Sequence, residues 1–158
     1  MKAATVSQLK KELQYRNQEE LLELCLRLSK FKKENKELLT YLLFEADNEA
    51  GYIETVKEEV DGLFSEINTN SYFYIKKSVR KILRILKKYI RYSGNKATEV
   101  ELLLYFCQKL SEFRPAIRRN TTLTNLYERQ LLFIEKKIML LHEDLQYDYG
   151  AVLHELRT

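Results

Sequence analysis

Seven basic residues recur at helical spacing in one stretch: Lys77, Arg80, Lys81, Arg84, Lys87, Lys88 and Arg91. At about 100° per residue they share roughly one third of a helix circumference. No Asp or Glu occurs between Glu66 and Glu99. Ammonium and guanidinium groups in such a row can follow a phosphate backbone, and Tyr72, Tyr74, Tyr89 and Tyr92 near the helix ends can stack bases. These seven residues are the candidate site for an anionic ligand. The competing reading is a solvated face. The preceding segment is acidic, and sequential helices usually pack as neighbours. Glu54, Glu58, Asp61 and Glu66 are then expected to neutralise part of the basic edge. An anionic membrane surface fits less well, because the Ile, Leu and Val face that would insert is needed for the core.

Other chemistry lacks its residues. Gly51, Gly62, Gly94 and Gly150 lie far apart, so no glycine-rich phosphate loop exists. His142 and His154 have no carboxylate three or four residues upstream, which removes the helical di-iron pattern. Two His and two Cys without clustering give no zinc site. Ser-x-x-Lys occurs at Ser7, Ser29 and Ser78, a repetition expected by chance in a Lys-rich chain, and its β-lactamase companion motifs are missing. Tyr72-x-x-x-Lys76 has no nucleotide-binding fold around it. His142, Glu143 and Asp144 are adjacent, so on a helix they point in different directions. No catalytic residue, cofactor or metal is predicted.

The elements that must hold the basic row are helices. Four Gly, one Pro and no Trp leave little room for turn-rich β architecture. The 3.6-residue period predicts helices over Thr5–Arg16, from a capping box at Asn17 and Glu20 to near Phe31, over Glu34–Ala46 and over Glu49–Ile67. The basic helix spans Tyr72–Ser93 and stops at Gly94, with Ile75, Val79, Ile82, Leu83, Leu86 and Ile90 on its inner face. A second capping box, Thr98 with Glu101, is expected to open the next helix, which Arg114-Pro115 should end. A last long helix begins near Thr121 or Thr122, carries Leu131, Ile134, Ile138, Leu141 and Leu145, and bends at Gly150. The expected core includes Leu24, Leu42, Val60, Val79, Leu83, Leu86, Leu104, Cys107, Ile134 and Leu141.

Shifted by 82 residues, the chain repeats itself in part. Glu19, Leu21, Leu22, Cys25, Leu28, Ser29 and Phe31 fall on Glu101, Leu103, Leu104, Cys107, Leu110, Ser111 and Phe113. The fold expected is therefore all-α: six or seven helices in a bundle, or a short α-solenoid of two related units. It would be one helical domain, 1–158, with 17–46 resembling 99–130. Cys25 and Cys107 are both expected in the core as reduced thiols.

The segment LKKELQYRNQEELLELCLRLSKF also resembles the opening of a small all-helical bacterial family of unknown function. In that family a short Lys-rich helix leads into a capped helix beginning Glu-Glu-Leu. The resemblance covers the first third of the chain. It implies a helical domain in a bacterial cytoplasm and assigns no chemistry. MKAATVSQLKKEL has no apolar h-region, and neither INTNSYFYI (67–75) nor LLTYLLF (38–44) approaches the ~20 residues of a membrane span. A cytoplasmic location is expected. The function expected is a non-catalytic helical protein-interaction or scaffold module, with a protein partner or self-association. The alternative is nucleic-acid binding through helix 72–93.

Overall fold

Asn and Thr side chains fix most helix starts. Thr5 and Gln8 form a reciprocal capping box at the head of α1 (Val6–Gln14). Asn17 accepts from the Glu20 amide and opens α2 (Gln18–Phe31), while the Glu20 carboxylate pairs with Arg16 at 3.1 Å. α3 (Lys33–Thr40) follows almost at once and runs into a single π-helical turn, Tyr41–Glu45. Asn48 caps α4 (Glu49–Ser65) by accepting from the Gly51 amide at 3.1 Å. A Cβ on Gly51 would collide with that Asn48 side chain, which explains a glycine in the first turn. α5 (Tyr72–Ser93) ends on Gly94, whose φ of 66° is the left-handed stop that glycine adopts without strain. α6 (Lys96–Glu112) is capped by Asn95, not by Thr98. Thr98 lies inside the first turn, buried, with its hydroxyl donated to Glu49 at 2.7 Å. The signal for Asn95 was its place immediately after the Ser93-Gly94 stop.

A 3-10 turn, Ile117–Arg119, follows Pro115 and leads into α7 (Thr121–Ile138). The expected last helix is in fact two. α7 stops at Ile138 and α8 (Glu143–Arg157) starts after His142, whose Nδ1 accepts from the Asp144 amide. The Gln146 amide donates to the freed carbonyls of Met139 and Leu141, which satisfies the broken end. Gly150 sits within α8. The computed structural model describes residues 1–158: eight α-helices and no strand, the all-α class the periodicity predicts.

The chain divides into two units, Met1–Phe44 and Glu45–Thr158. In the first, α2 and α3 form a hairpin. The Asn35 amide donates to the Leu28 carbonyl at 2.8 Å, and Ser29 is buried at the contact. Tyr41 is the only apolar side chain buried in this unit. Leu24, Leu42 and Cys25, expected in the core, are exposed. Three short helices cannot cover one another on all apolar sides. The echoed segments 17–46 and 99–130 thus lie in different surroundings.

The second unit is a bundle built around α6. Val100, Leu102, Leu103, Leu104, Phe106, Cys107 and Leu110 of α6 are all buried, so the helix is apolar nearly all round and touches α4, α5, α7 and α8. Val60, Val79, Leu83, Leu86, Leu104, Cys107 and Ile134 are buried as expected, whereas Leu141 stands half-buried in the α7–α8 turn. Burial pushes the Cys107 thiol up to about 12. Polar ties clamp the bundle edges. Lys57 of α4 pairs with Glu101 of α6 at 2.9 Å, and Tyr149 of α8 donates to the same carboxylate. Glu49 accepts from both Ser93 and Thr98.

Candidate nucleic-acid interface

α5 divides its circumference cleanly. Ile75, Val79, Ile82, Leu83, Leu86 and Ile90 are buried, and Lys77, Arg80, Lys81, Arg84, Lys87 and Arg91 are exposed on the other side. Lys88 is half-buried, its ammonium 5.3 Å from the Tyr89 ring centroid. The structure therefore brings all seven expected cations onto one face.

The expected acidic neighbours do not cover that face. Glu54 pairs with Lys57 on its own helix, at 3.1 Å. Asp61 turns to α6, where it meets Lys109 at 3.1 Å and accepts from the Tyr105 hydroxyl at 2.6 Å. Partial burial opposes ionisation of Asp61, but Tyr105 and Lys109 outweigh it and hold the carboxyl below its usual range. The same contact works in reverse on Tyr105. Burial first, and the Asp61 hydrogen bond second, push its hydroxyl up to about 12. α4 approaches α5 along the edge that carries Tyr89. Tyr52 donates to the Tyr89 carbonyl, and the Tyr89 hydroxyl donates to Glu59, both at 2.8 Å. That edge lies away from the six exposed cations, and of the seven only Lys88 reaches the Tyr89 ring. No carboxylate comes within ion-pairing distance of Lys77, Arg80, Lys81, Arg84, Lys87 or Arg91.

The tyrosines fall into two sets. Tyr72 is half-buried and donates to the Ala116 carbonyl at 2.8 Å, tying the start of α5 to the 3-10 turn. Tyr89 is committed as described. Tyr74 is 47% exposed and stands edge-on to Phe73, their ring centroids 5.5 Å apart. Phe73 was not among the expected residues. It is 65% exposed and stands one, two and five helical turns from Lys77, Arg80 and Arg91 on the same side.

Sequence reasoning also missed α7. Lys87 lies 5.9 Å from the Phe133 ring centroid, and Lys137 lies 5.1 Å from the same ring. Phe133 thus joins the basic face of α5 to a second helix. Arg129 and Lys136 are exposed on α7 on the same side as Phe133. The signal was present in the sequence: Arg129, Phe133, Lys136 and Lys137 recur at spacings of four, three and one without an intervening acid on that side. The groove on the far side of α7 and α8 is different in kind. Its Arg114, Arg118 and Arg157 are interspersed with Glu128 and Glu155, and Arg157 already holds Glu135 through two 2.9 Å bonds.

No group of His, Cys, Asp and Glu is placed to hold a metal ion, and no helix is long and apolar enough to cross a membrane. Comparison with family models, with curated proteins and with solved structures finds no match. The resemblance of the N-terminal third therefore has no family match beside it.

Proposed function

We propose that the second unit is a non-catalytic binding module that takes up nucleic acid along the α5–α7 face. One observation carries this reading: six exposed cations stand in a row on α5 with no acidic partner, beside exposed Phe73 and Tyr74. From Lys77 to Arg91 the helix rises about 21 Å at 1.5 Å per residue. A DNA strand presents one phosphate per about 3.4 Å of axis, or about six over that length. Six cations thus meet about six phosphates. Unpaired charges of one sign also repel one another along a helix, so a row that serves only solubility would gain from interspersed acids. The exposed rings supply stacking platforms for unpaired bases, which favours single strands over duplex.

The test is fluorescence anisotropy of the full chain with labelled single-stranded RNA, single-stranded DNA and duplex at low salt. The expected result is a complex with single strands that weakens steeply as salt is added. Phe73→Ala should weaken single-strand binding and leave duplex binding unchanged. No complex at low salt, or one indifferent to salt, overturns the proposal. So does preferential uptake of an acidic peptide or of anionic vesicles.

A further inference from the structure

α5 and α7 run side by side in the same direction. Tyr72 in the first turn of α5 meets the Ala116 carbonyl just ahead of α7, and toward the far ends of both helices Lys87 stands over the Phe133 ring. Phe133 is therefore level with Lys87. Phe73 lies in the first turn of α5, and from 73 to 87 the helix rises about 21 Å at 1.5 Å per residue. Lys77, Arg80, Lys81 and Arg84 fill that interval with charge. No aromatic residue occurs in α5 from Ile75 to Lys88, and Tyr127 of α7 is turned to α8, where it donates to the Leu156 carbonyl. The basic face thus carries an exposed phenylalanine at each end, Phe73 at 65% and Phe133 at 37%, and cations alone between them.

Two ammonium groups stand over Phe133, Lys87 at 5.9 Å and Lys137 at 5.1 Å from the ring centroid. They are held differently. Lys137 is also paired with Glu99 at 3.3 Å, whereas Lys87 has no carboxylate partner. A nucleobase stacked on an exposed ring is bound more tightly than an ammonium over the same ring. A base arriving at Phe133 therefore displaces Lys87, and the freed ammonium takes a phosphate of the same strand. A stacked strand rises about 3.4 Å per nucleotide, so 21 Å separates bases about six positions apart. We propose that this face anchors a single strand by two unpaired bases about six nucleotides apart, one stacked on Phe73 and one on Phe133, with the intervening nucleotides held by their phosphates alone. This rests on the nucleic-acid reading of the α5–α7 face and adds what the ligand must present: an unpaired run of about seven nucleotides with a base at each end. A duplex keeps its bases paired inside and offers neither anchor.

The test uses the full chain and unlabelled deoxyadenylate strands of about seven nucleotides, competing at low salt with a labelled tracer strand in fluorescence anisotropy. Abasic sites are placed either at both ends or at two central positions. Every strand keeps the same phosphates, so charge is constant across the series. End abasic sites should weaken binding about tenfold or more, and central ones by about twofold at most. Phe133→Leu keeps apolar bulk and removes the aromatic face. It should weaken the intact strand about fivefold or more and leave the end-abasic strand unchanged. Phe133→Tyr keeps the ring and should bind as the wild type does. Phe133 is partly exposed, so circular dichroism should show unchanged helicity in both variants. If no strand binds, the nucleic-acid reading falls and this proposal falls with it. If strands bind but lose equally from end and central abasic sites, the two-anchor proposal alone is overturned. Wild-type affinity in Phe133→Leu, or a loss in Phe133→Tyr as large as in Phe133→Leu, overturns it in the same way.

Discussion

Neutralising Lys77, Arg80, Lys81 and Arg84 together should separate binding from folding. Replacement by Gln keeps a good helix former at each position, so intrinsic propensity changes little. Four of the six exposed cations on α5 are then gone. On single strands each phosphate contact contributes about −0.7 to the slope of log K against log salt, so six contacts give about −4 and two give about −1.4. Between 50 and 200 mM salt the wild type should therefore lose about 300-fold in affinity, and the variant about sevenfold. Stability should move the other way. Lys77 repels Arg80 and Lys81, and Arg84 repels the same two, at spacings of three and four where like charges cost about 0.2–0.5 kcal/mol per pair. None of the four has an acidic partner to lose. The variant should thus be more stable by about 1–2 kcal/mol in urea titrations, by the same pairwise repulsion. Anisotropy across a salt series and equilibrium unfolding read the two quantities independently. A variant with the wild-type slope would refute the assignment of the phosphates to these residues. A variant less stable than wild type would show that the row holds the fold together.

Four further outcomes follow from the packing. Gly62 faces open space within α4, so Gly62→Ala should stabilise the chain by about 0.4–1 kcal/mol, while Gly94→Ala, at φ 66°, should destabilise it, both read in urea titrations. Tyr105 and Tyr149, pushed up to about 12 by burial and by Asp61 and Glu101 respectively, should ionise well above pH 10 in an ultraviolet titration of the native chain, and Tyr105→Phe should remove one such late-titrating group. Because their folded pKa values lie above the ordinary 10, the stability they contribute is intact below pH 10 and is lost as pH rises toward 12, and Tyr105→Phe should flatten that alkaline decline. A thiol reagent should label Cys25 at once in the native chain and Cys107 only on unfolding, where two fast thiols would contradict the burial of α6. Leu86→Ala, at a fully buried position, should cost about 2–5 kcal/mol, and a cost below 1 would mean that α5 is not seated as described.

The helices of the second unit were legible because their apolar residues follow one period and their neighbours complete the burial. α5 is the plainest case, with its inner face, length and Gly94 stop all readable from spacing. α6 was read only in part. A helix apolar on nearly every side has no preferred face, so Leu102 and Phe106 gave no periodic signal. The α7–α8 break was hidden because Leu141 and Leu145 continue the three-and-four alternation across a turn that is closed by side chains, His142 and Gln146, rather than by Gly or Pro. In the first unit the periodicity was just as strong, yet Leu24 and Leu42 are exposed. Amphipathic spacing says that a face seeks a partner. It does not say that the partner lies within the same folded unit.

The candidate site was legible as a row but not in its surroundings, and the reason is geometric. Four acids in the segment before α5 were expected to neutralise its edge. Placed on a helix at 100° per residue, Glu54 and Asp61 share an edge with Lys57, and that edge meets α6. Glu58 points between the edges. The acids that do reach α5 are Glu49, which accepts from Ser93 at its last residue, and Glu59, which binds Tyr89 about 80° or more around the helix from the cations. Nearness in sequence made the two helices neighbours, but which edges meet was decided by the apolar faces, because burying them is worth far more than any exposed ion pair. The cations were left over from that choice. On the opposite edge α5 meets α7, and there the contact is Phe133 between Lys87 and Lys137. An acid at that junction would have closed the row. An aromatic ring with Arg129 and Lys136 beside it extends the row instead, so the face has a second helix on which a strand longer than six phosphates could continue.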